Sequence, residues 1–124
     1  MALFEPPIVE TGRTPGHPDL QPLHLKVTPE RAFSAVSTVA GRIGGWTVVK
    51  VDPVGKTLVA EARSRPWGLD DVVIRVETEA DGSVVHMRSS SRRGFLDFGA
   101  NAARIRKFLD RVEKAAKTTS GSDA

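Results

Sequence analysis

The chain of 124 residues contains no cysteine. This absence excludes disulfides, thiolate metal ligands and cysteine nucleophiles together. The three histidines present are His17, His24 and His86, and none lies at a metal-ligand spacing from another. The sequence therefore predicts neither a metal site nor a bound cofactor.

Long apolar runs are also lacking. No stretch approaches the roughly 18 residues that a membrane-spanning helix needs. The N-terminus MALFEPPIVETG is acidic and proline-containing, unlike the basic start of a secretion signal. We therefore expect a cytoplasmic protein with no membrane span.

Aromatic residues are few, with five Phe, two Trp and no Tyr. An open sheet face would therefore offer few side chains on which nucleic-acid bases could stack. The formal net charge of +3 and the pI near 9.7 indicate mild attraction to anions. Because 15 acidic residues offset 18 basic ones, nucleic acid is a disfavoured partner.

Length and composition are typical of a single soluble domain. Prolines and glycines near the N-terminus predict an extended arm over residues 1–22. The polar end TTSGSDA predicts a flexible tail over residues 118–124. One α+β domain is expected between them, over residues 23–117.

The apolar spacing of that domain predicts two helices and five strands. Thr28-Pro29-Glu30 is typical of a helix start, and the spacing predicts a helix over 29–43 and another from about 97 to 117. Alternation predicts strands at 23–27, 46–51, 56–63, 71–77 and 83–89, with a hairpin turn around Asp81-Gly82.

The resulting order is β-α-β-β-β-β-α. Short turns between sequential strands predict a five-stranded antiparallel sheet with both helices on one face. Such a two-layer α+β sandwich is similar to TATA-binding-protein-like and helix-grip architectures. Alternation assigns the core side to Val49, Val51, Leu58, Ala60, Ala62, Val72, Ile74, Val76, Val85 and Met87, and the opposite side to Lys50, Glu61, Arg63, Arg75, Glu77, His86 and Arg88.

Polar residues converge at one end of this predicted sheet. Centring the hairpin at Asp81-Gly82 places Asp70 and Asp71 opposite residues 91 to 93. The same end receives residues from the loop after β-strand 56–63 and from the start of the second helix. We define these residues as the rim: Arg63, Arg65, Asp70, Asp71, Arg88, Ser89, Ser91, Arg92, Asp97, Asn101 and Arg104.

Four interpretations of the rim stay open. In the first it is structural: Asp70 or Asp71 pairs with Arg92, Asp97 caps the second helix and Arg104 packs along it. In the second it binds a phosphate or carboxylate. Catalysis is the third, although Asp70 and Asp71 are adjacent and should point to opposite faces. Phosphate contacts to nucleic acid are the fourth.

Three stretches carry a resemblance to a known family: VTPERAFSAV, ARSRPWGLDDVVIRVE and HMRSSSRRGFLDFGANAARI. Over about residues 20–115 the chain resembles domain of unknown function 1499, a bacterial family. The third stretch carries the most specific motif, Arg88, Ser89, Ser91, Arg92, Gly94, Asp97, Gly99, Asn101 and Arg104. The resemblance implies a small α+β domain without an established activity, so no catalytic residues can be carried over from it.

The sequence favours a non-enzymatic binding or interaction module. Its partner would be a small anionic ligand or an acidic protein segment, and the rim supplies the candidate ligand-binding residues. Two alternatives stay open. One is a carrier of an apolar small molecule or lipid between the sheet and the second helix, and the other is a hydrolase that uses the rim carboxylates.

Overall fold

The computed structural model describes residues 8–64, 68–92 and 99–122, with side chains as far as Lys117. It contains two helices and a six-stranded antiparallel sheet. In chain order the elements are β1 (Ile8–Glu10), β2 (Leu23–Leu25), α1 (Pro29–Arg42), β3 (Trp46–Asp52), β4 (Thr57–Ser64), β5 (Gly68–Glu79), β6 (Gly82–Ser91) and α2 (Ala100–Ser122). The predicted α+β class and the order of its five strands are confirmed, and β1 is an additional strand.

Helix α1 begins where the sequence predicts. The Thr28 hydroxyl accepts a hydrogen bond from the Arg31 backbone N–H at 3.2 Å, and Pro29 occupies the first turn. The proline ring tolerates this position because its missing N–H would have no intrahelical partner there. Gly45 follows the helix with a φ of 84°, a conformation that glycine adopts without a steric penalty.

The sheet is ordered β1-β6-β5-β4-β3, and β2 also pairs with β6. One edge of β6 therefore pairs with β5 along its whole length. Its other edge is shared by β1, opposite Arg88 to Ser90, and by β2, opposite Ser83 to Val85. The N-terminal segment of the chain thus completes the sheet on that side.

Residues of the predicted arm contribute to the core. Val9 in β1 is 0% exposed and Leu20 is 4% exposed. Between β1 and β2, the Thr11 backbone N–H donates to the Met87 carbonyl at 3.0 Å, and the Thr11 hydroxyl accepts from the Met87 N–H at 3.1 Å. These bonds satisfy the backbone of β6 where neither short strand pairs with it.

One hydrophobic core lies between the sheet and both helices. It includes Phe33 and Val36 of α1, Leu58 and Ile74 of the sheet, and Phe108 of α2. The sheet residues alternate as predicted in β4, β5 and β6. Both helices therefore cover the same face, and the opposite face of the sheet carries the charged residues.

The predicted burial of Val49 and Val51 is wrong. Val49 is 57% exposed and Val51 is 45% exposed, whereas Trp46 and Val48 pack against the core. A register shift between Val48 and Lys50 explains the exposure of Val49, because a bulge inserts one unpaired residue into the strand. Val51 pairs with Leu58 and so lies on the predicted side of the sheet, but near the end of this edge strand it stays exposed. Bulges and a lysine are common on edge strands such as β3, where they discourage pairing with another chain.

The hairpin of β5 and β6 pairs Asp70 with Ser91 and Asp71 with Ser90. Asp71 was expected opposite residues 91 to 93, so its predicted partner is wrong.

The turn of this hairpin consists of Ala80 and Asp81, since Glu79 already pairs with Gly82. Gly82 has a φ of 154°, and a Cβ on it would collide with the Leu25 carbonyl oxygen, so the close approach of β2 requires glycine here.

Candidate functional site

The two neighbouring aspartates of β5 lie on opposite faces of the sheet. Asp70 is 2% exposed and lies on the core side, opposite Ala62 and Ser91. Asp71 lies on the open face, opposite Glu61 and Ser90. Strand alternation, which places successive side chains on opposite faces, therefore divides the predicted rim into two clusters.

The first cluster joins the ends of three strands to the start of α2. Its centre is Arg104, whose Nη1 donates to Asp70 Oδ2 at 2.7 Å, to Asn101 Oδ1 at 2.8 Å and to Ser89 Oγ at 3.0 Å. The Arg104 side chain is 11% exposed and that of Asp70 is 3% exposed. We call this cluster the core-side network; it consists of Ser64, Asp70, Ser89, Ser91, Asn101 and Arg104.

The remaining bonds of the core-side network satisfy its buried polar atoms. The Ser89 hydroxyl donates to Asn101 Oδ1 at 2.6 Å, and Asn101 Nδ2 donates to Ser91 Oγ at 2.9 Å. The Ser64 hydroxyl donates to Asp70 Oδ1 at 3.2 Å. A buried polar group costs about 1–3 kcal/mol when its partner is removed, so these residues depend on one another.

The second cluster lies on the open face and consists of Glu61, Asp71 and Arg92, which we call the open-face cluster. Arg92 Nε lies 3.1 and 3.2 Å from the two Asp71 carboxylate oxygens. Its Nη2 lies 2.8 Å from Asp71 Oδ1 and 2.5 Å from Glu61 Oε2. One guanidinium thus binds two carboxylates, although its side chain is 44% exposed.

The charges of the open-face cluster shift the ionisation of its members. Hydrogen bonding to Arg92 lowers the pKa of the Asp71 carboxyl below its ordinary value; burial opposes this, and the positive charges of Arg92 and Arg88 add to it. The two carboxylates raise the pKa of Arg92. Asp71 therefore stays ionised at neutral pH and is held by its partner.

A cleft of about 400 Å³ lies on the open face beside this cluster. It opens between β1, β6 and β5. Glu77 accepts from Arg75 Nε at 2.9 Å and lies 3.1 Å from His86 Nε2, and the pKa of Glu77 is lowered, chiefly by Arg75. We call the cleft the open-face cleft. Its lining includes Ile8, Glu10, Val73, Arg75, His86 and Arg88.

Arg88 is the distinctive residue of the open-face cleft. It is exposed, and no carboxylate of the described residues lies within salt-bridge distance of it. Glu10 faces it across the β1–β6 pairing, but the Glu10 carboxylate is 3.7 Å from Arg13. Arg88 contributes to the lowered pKa of Asp71 only through its charge.

Two further cations of the open face also lack a carboxylate partner among the described residues. Lys50 and Arg63 are exposed, and neither forms an ion pair with any residue that the structure describes. In contrast, the open-face carboxylates Glu61, Asp71 and Glu77 all have cationic partners. Lys50, Arg63 and Arg88 are therefore three described cations of this face without an ion-pair partner.

The rim residues are thus only partly brought together. Asp70, Ser89, Ser91, Asn101 and Arg104 meet in the core-side network, and Asp71 meets Arg92 on the other face. Arg88 lies in the cleft, and Arg63 lies at the end of β4. Arg65 and Asp97, together with the predicted capping role of Asp97, lie outside the described residues. Gly99, before α2, has a φ of 79°.

Two partners of the rim were missed from the sequence. Ser64 belongs to the core-side network because residues 58, 60, 62 and 64 share one face of β4, and this alternation could have identified it. Glu61 was placed on the charged face, but its bond to Arg92 depends on where the chain leaves β6. Strand alternation alone does not give that position.

The two rim carboxylates that the structure describes are not arranged to act together in acid–base catalysis. Asp70 and Asp71 each bind a guanidinium, and they lie on opposite sides of the sheet. Within the described ranges, no group of three or more His, Cys, Asp or Glu side chains is placed to hold a metal ion. Among the helices described, neither has the length and apolar character to cross a membrane.

Comparison with known proteins identifies a family. A family model described as "Protein of unknown function (DUF1499)" matches residues 2–112. The match extends further toward the N-terminus than the resemblance seen in the sequence, and it includes β1. No curated protein matches the chain.

Proposed function

The chain belongs to the DUF1499 family, and from its geometry we propose that it is a non-enzymatic binding module for an anionic group. The observation that carries the proposal is the position of Arg88. This guanidinium lines a cleft of about 400 Å³ and has no carboxylate partner among the described residues. A planar guanidinium suits a carboxylate or a phosphate, to which it can donate two parallel hydrogen bonds.

The neighbours of Arg88 support an anionic occupant. Arg75 and His86 line the same cleft, and both lie against a single carboxylate, that of Glu77. Glu10 also lines the cleft and faces Arg88 across the strand pairing, so its negative charge opposes an incoming anion. Val73 and Ile8 add apolar surface, as is usual in ligand sites.

The rest of the rim has a supporting role in this proposal. The core-side network holds the ends of β4, β5 and β6 against α2, and Arg92 is occupied by Asp71 and Glu61. The sheet is therefore held rigidly beneath the cleft. Rigid support lowers the entropic cost of binding because the site does not have to be ordered by its ligand.

The two alternatives have less support. Phe108, Ile105 and Val112 fill the space between α2 and the sheet at 1% exposure or less, and Phe108 stacks on Trp46 with ring centroids 5.1 Å apart. This packing does not favour a carrier that holds an apolar ligand there. A hydrolase would need a free carboxylate, whereas Asp70 and Asp71 are both paired.

The proposal predicts that inorganic phosphate and acetate bind at Arg88. Arg88→Ala should weaken phosphate binding about tenfold, since a hydrogen bond to a charged group contributes roughly 1.5–3 kcal/mol and less when exposed. Glu10→Gln should strengthen binding two- to fivefold by removing the opposing negative charge. Titration calorimetry and the shift in melting temperature at low salt measure both effects.

Arg111→Ala provides the control. Arg111 is exposed on α2, away from the cleft, so its substitution should leave phosphate binding unchanged. The proposal fails if phosphate and acetate do not bind, or if Arg88→Ala and Arg111→Ala weaken binding equally.

A further inference from the structure

The three unpaired cations of the open face lie far apart. Lys50 pairs with Val59, Val59 with Val73, and Val73 with Arg88. Three strand spacings, about 14 Å between Cα atoms, therefore separate Lys50 from Arg88. Arg63 lies four residues along β4 from Val59, which is about 13 Å. A single small anion is too short to span these positions.

The surface between these cations is partly apolar and partly occupied by carboxylates that are already ion-paired. Val59 and Val73 are half-buried and occupy the centre of the row that joins Lys50 to Arg88. Leu69, opposite Arg63, is 37% exposed. The carboxylates of the open-face cluster are held by Arg92. An occupant that complements the three unpaired cations needs separated negative charges placed away from these two carboxylates, and apolar groups over Val59 and Val73.

From this complementarity we infer that the open face docks an acidic segment of a partner protein, long enough to follow the row from Lys50 to Arg88 and then turn toward Arg63. Its carboxylates lie against Lys50, Arg63 and Arg88, and its apolar side chains cover Val59 and Val73. The inference rests on the proposed function, because the anionic group bound at Arg88 is one carboxylate of the segment. It adds the partner class and two further contact residues.

A protein segment fits this face better than a single-stranded nucleic acid. Base stacking on aromatic side chains supplies much of the affinity of single-strand binders. The aromatic residues that the structure describes, Phe33, Trp46 and Phe108, pack in or against the core. The described open face therefore offers three unpaired cations and valine side chains, without aromatic side chains on which bases could stack.

Fluorescence anisotropy with labelled peptides at low salt tests the inference. The probes are a ten-residue peptide in which glutamate alternates with valine or serine, and a three-residue peptide Glu-Val-Glu. Extended, they span about 33 Å and about 10 Å, so only the longer one bridges the cations. We expect the longer peptide to bind at least tenfold more tightly.

Substitution of each cation should weaken binding of the longer peptide. Lys50→Ala, Arg63→Ala and Arg88→Ala should each raise its Kd about two- to fivefold, because each removes one exposed charge pair. The triple variant should raise the Kd more than tenfold. Circular dichroism shows whether the triple variant is folded. If it is not, the three single variants still test the inference.

A matched triple variant on the helices controls for net charge. Arg42→Ala, Lys107→Ala and Arg111→Ala remove the same amount of charge from exposed positions of α1 and α2. This variant should change the Kd less than twofold. Equal weakening by the two triple variants overturns the inference, because binding then follows net charge alone.

The other outcomes separate this inference from the proposed function. If phosphate binding depends on Arg88 but the peptide is insensitive to Lys50 and Arg63, the inference is overturned and the proposed function stands. If phosphate, acetate and both peptides fail to bind, both are overturned. Tighter binding of a ten-nucleotide single-stranded DNA, dependent on the same three cations, overturns the protein partner in favour of nucleic acid.

Discussion

Asp70 and Asp71 are neighbours in sequence with the same side chain, and each forms an ion pair with an arginine. The Asp70–Arg104 pair is buried on the core side, with side-chain exposures of 3% and 11%. The Asp71–Arg92 pair lies on the open face, with exposures of 42% and 44%. The same chemistry is therefore placed in two different environments by strand alternation alone.

The difference in burial determines what each pair contributes. A buried charge that loses its partner cannot recover its solvation, so breaking such a pair costs several kcal/mol. In an exposed pair, each charge that loses its partner is solvated by water, so the pair contributes only about 0–1 kcal/mol to the free energy of unfolding. We therefore assign the Asp70 side of β5 to folding, and the face that carries Asp71 is the one on which we propose ligand binding.

The largest expected effect on stability is that of removing the Asp70 carboxylate. Asp70→Ala leaves the Arg104 guanidinium buried without its carboxylate, so the free energy of unfolding should fall by about 3–5 kcal/mol. Asp71→Ala should lower it by less than about 1 kcal/mol. Urea denaturation of the two variants gives the comparison, and equal losses would contradict the division between the faces.

A smaller effect is expected at Asn101, which is 0% exposed. Asn101→Ala removes the acceptor for Ser89 and Arg104 and the donor to Ser91, so it should cost about 1–3 kcal/mol. Ser90→Ala, at the open-face neighbour of Ser89, is the control and should change stability by at most about 0.5 kcal/mol. Urea denaturation measures both, and a loss at Ser90 as large as that at Asn101 would argue against a special role for the core-side network.

The smallest expected effect is the pH dependence of the exposed pair. Because the pKa of Asp71 is lowered from 3.8 in the folded protein, its contribution is present above pH 3.8 and is lost as the pH falls through the folded-state pKa. The difference in unfolding free energy between the wild type and Asp71→Asn should therefore be below about 1 kcal/mol at pH 6 and should disappear in acid. A difference that grows in acid would contradict this sign.

Much of the fold could be predicted from the sequence because its local signals agree with one another. The Thr28-Pro29 start of α1 and the alternation of β4, β5 and β6 gave the helices, the strands and the buried face. The bulge in β3 could not be predicted, because an inserted residue leaves no signal in a short valine-rich strand. Strand β1 was missed for a related reason: three residues are too few to show alternation.

The rim shows how far sequence reasoning about the site extends. Alternation correctly separated Asp70 from Asp71, and the expected Asp–Arg pairing is present. The division of partners, Arg104 for Asp70 and Arg92 for Asp71, depends on the three-dimensional position of α2 relative to the sheet. The cleft at Arg88 was not predicted either, since its wall at Ile8 and Glu10 belongs to β1.

The most direct test is a ¹H–¹⁵N NMR titration that follows the Nε–Hε signals of Arg88 and Arg104 while phosphate or the ten-residue acidic peptide is added. Both residues are arginines near the same end of the sheet, but one lines the open-face cleft and the other lies in the core-side network. If the open face binds the anion, the Arg88 signal shifts in a saturable manner and the Arg104 signal does not. Movement of Arg104 with an unchanged Arg88 would place the anion on the core side and contradict the division of roles between the two faces.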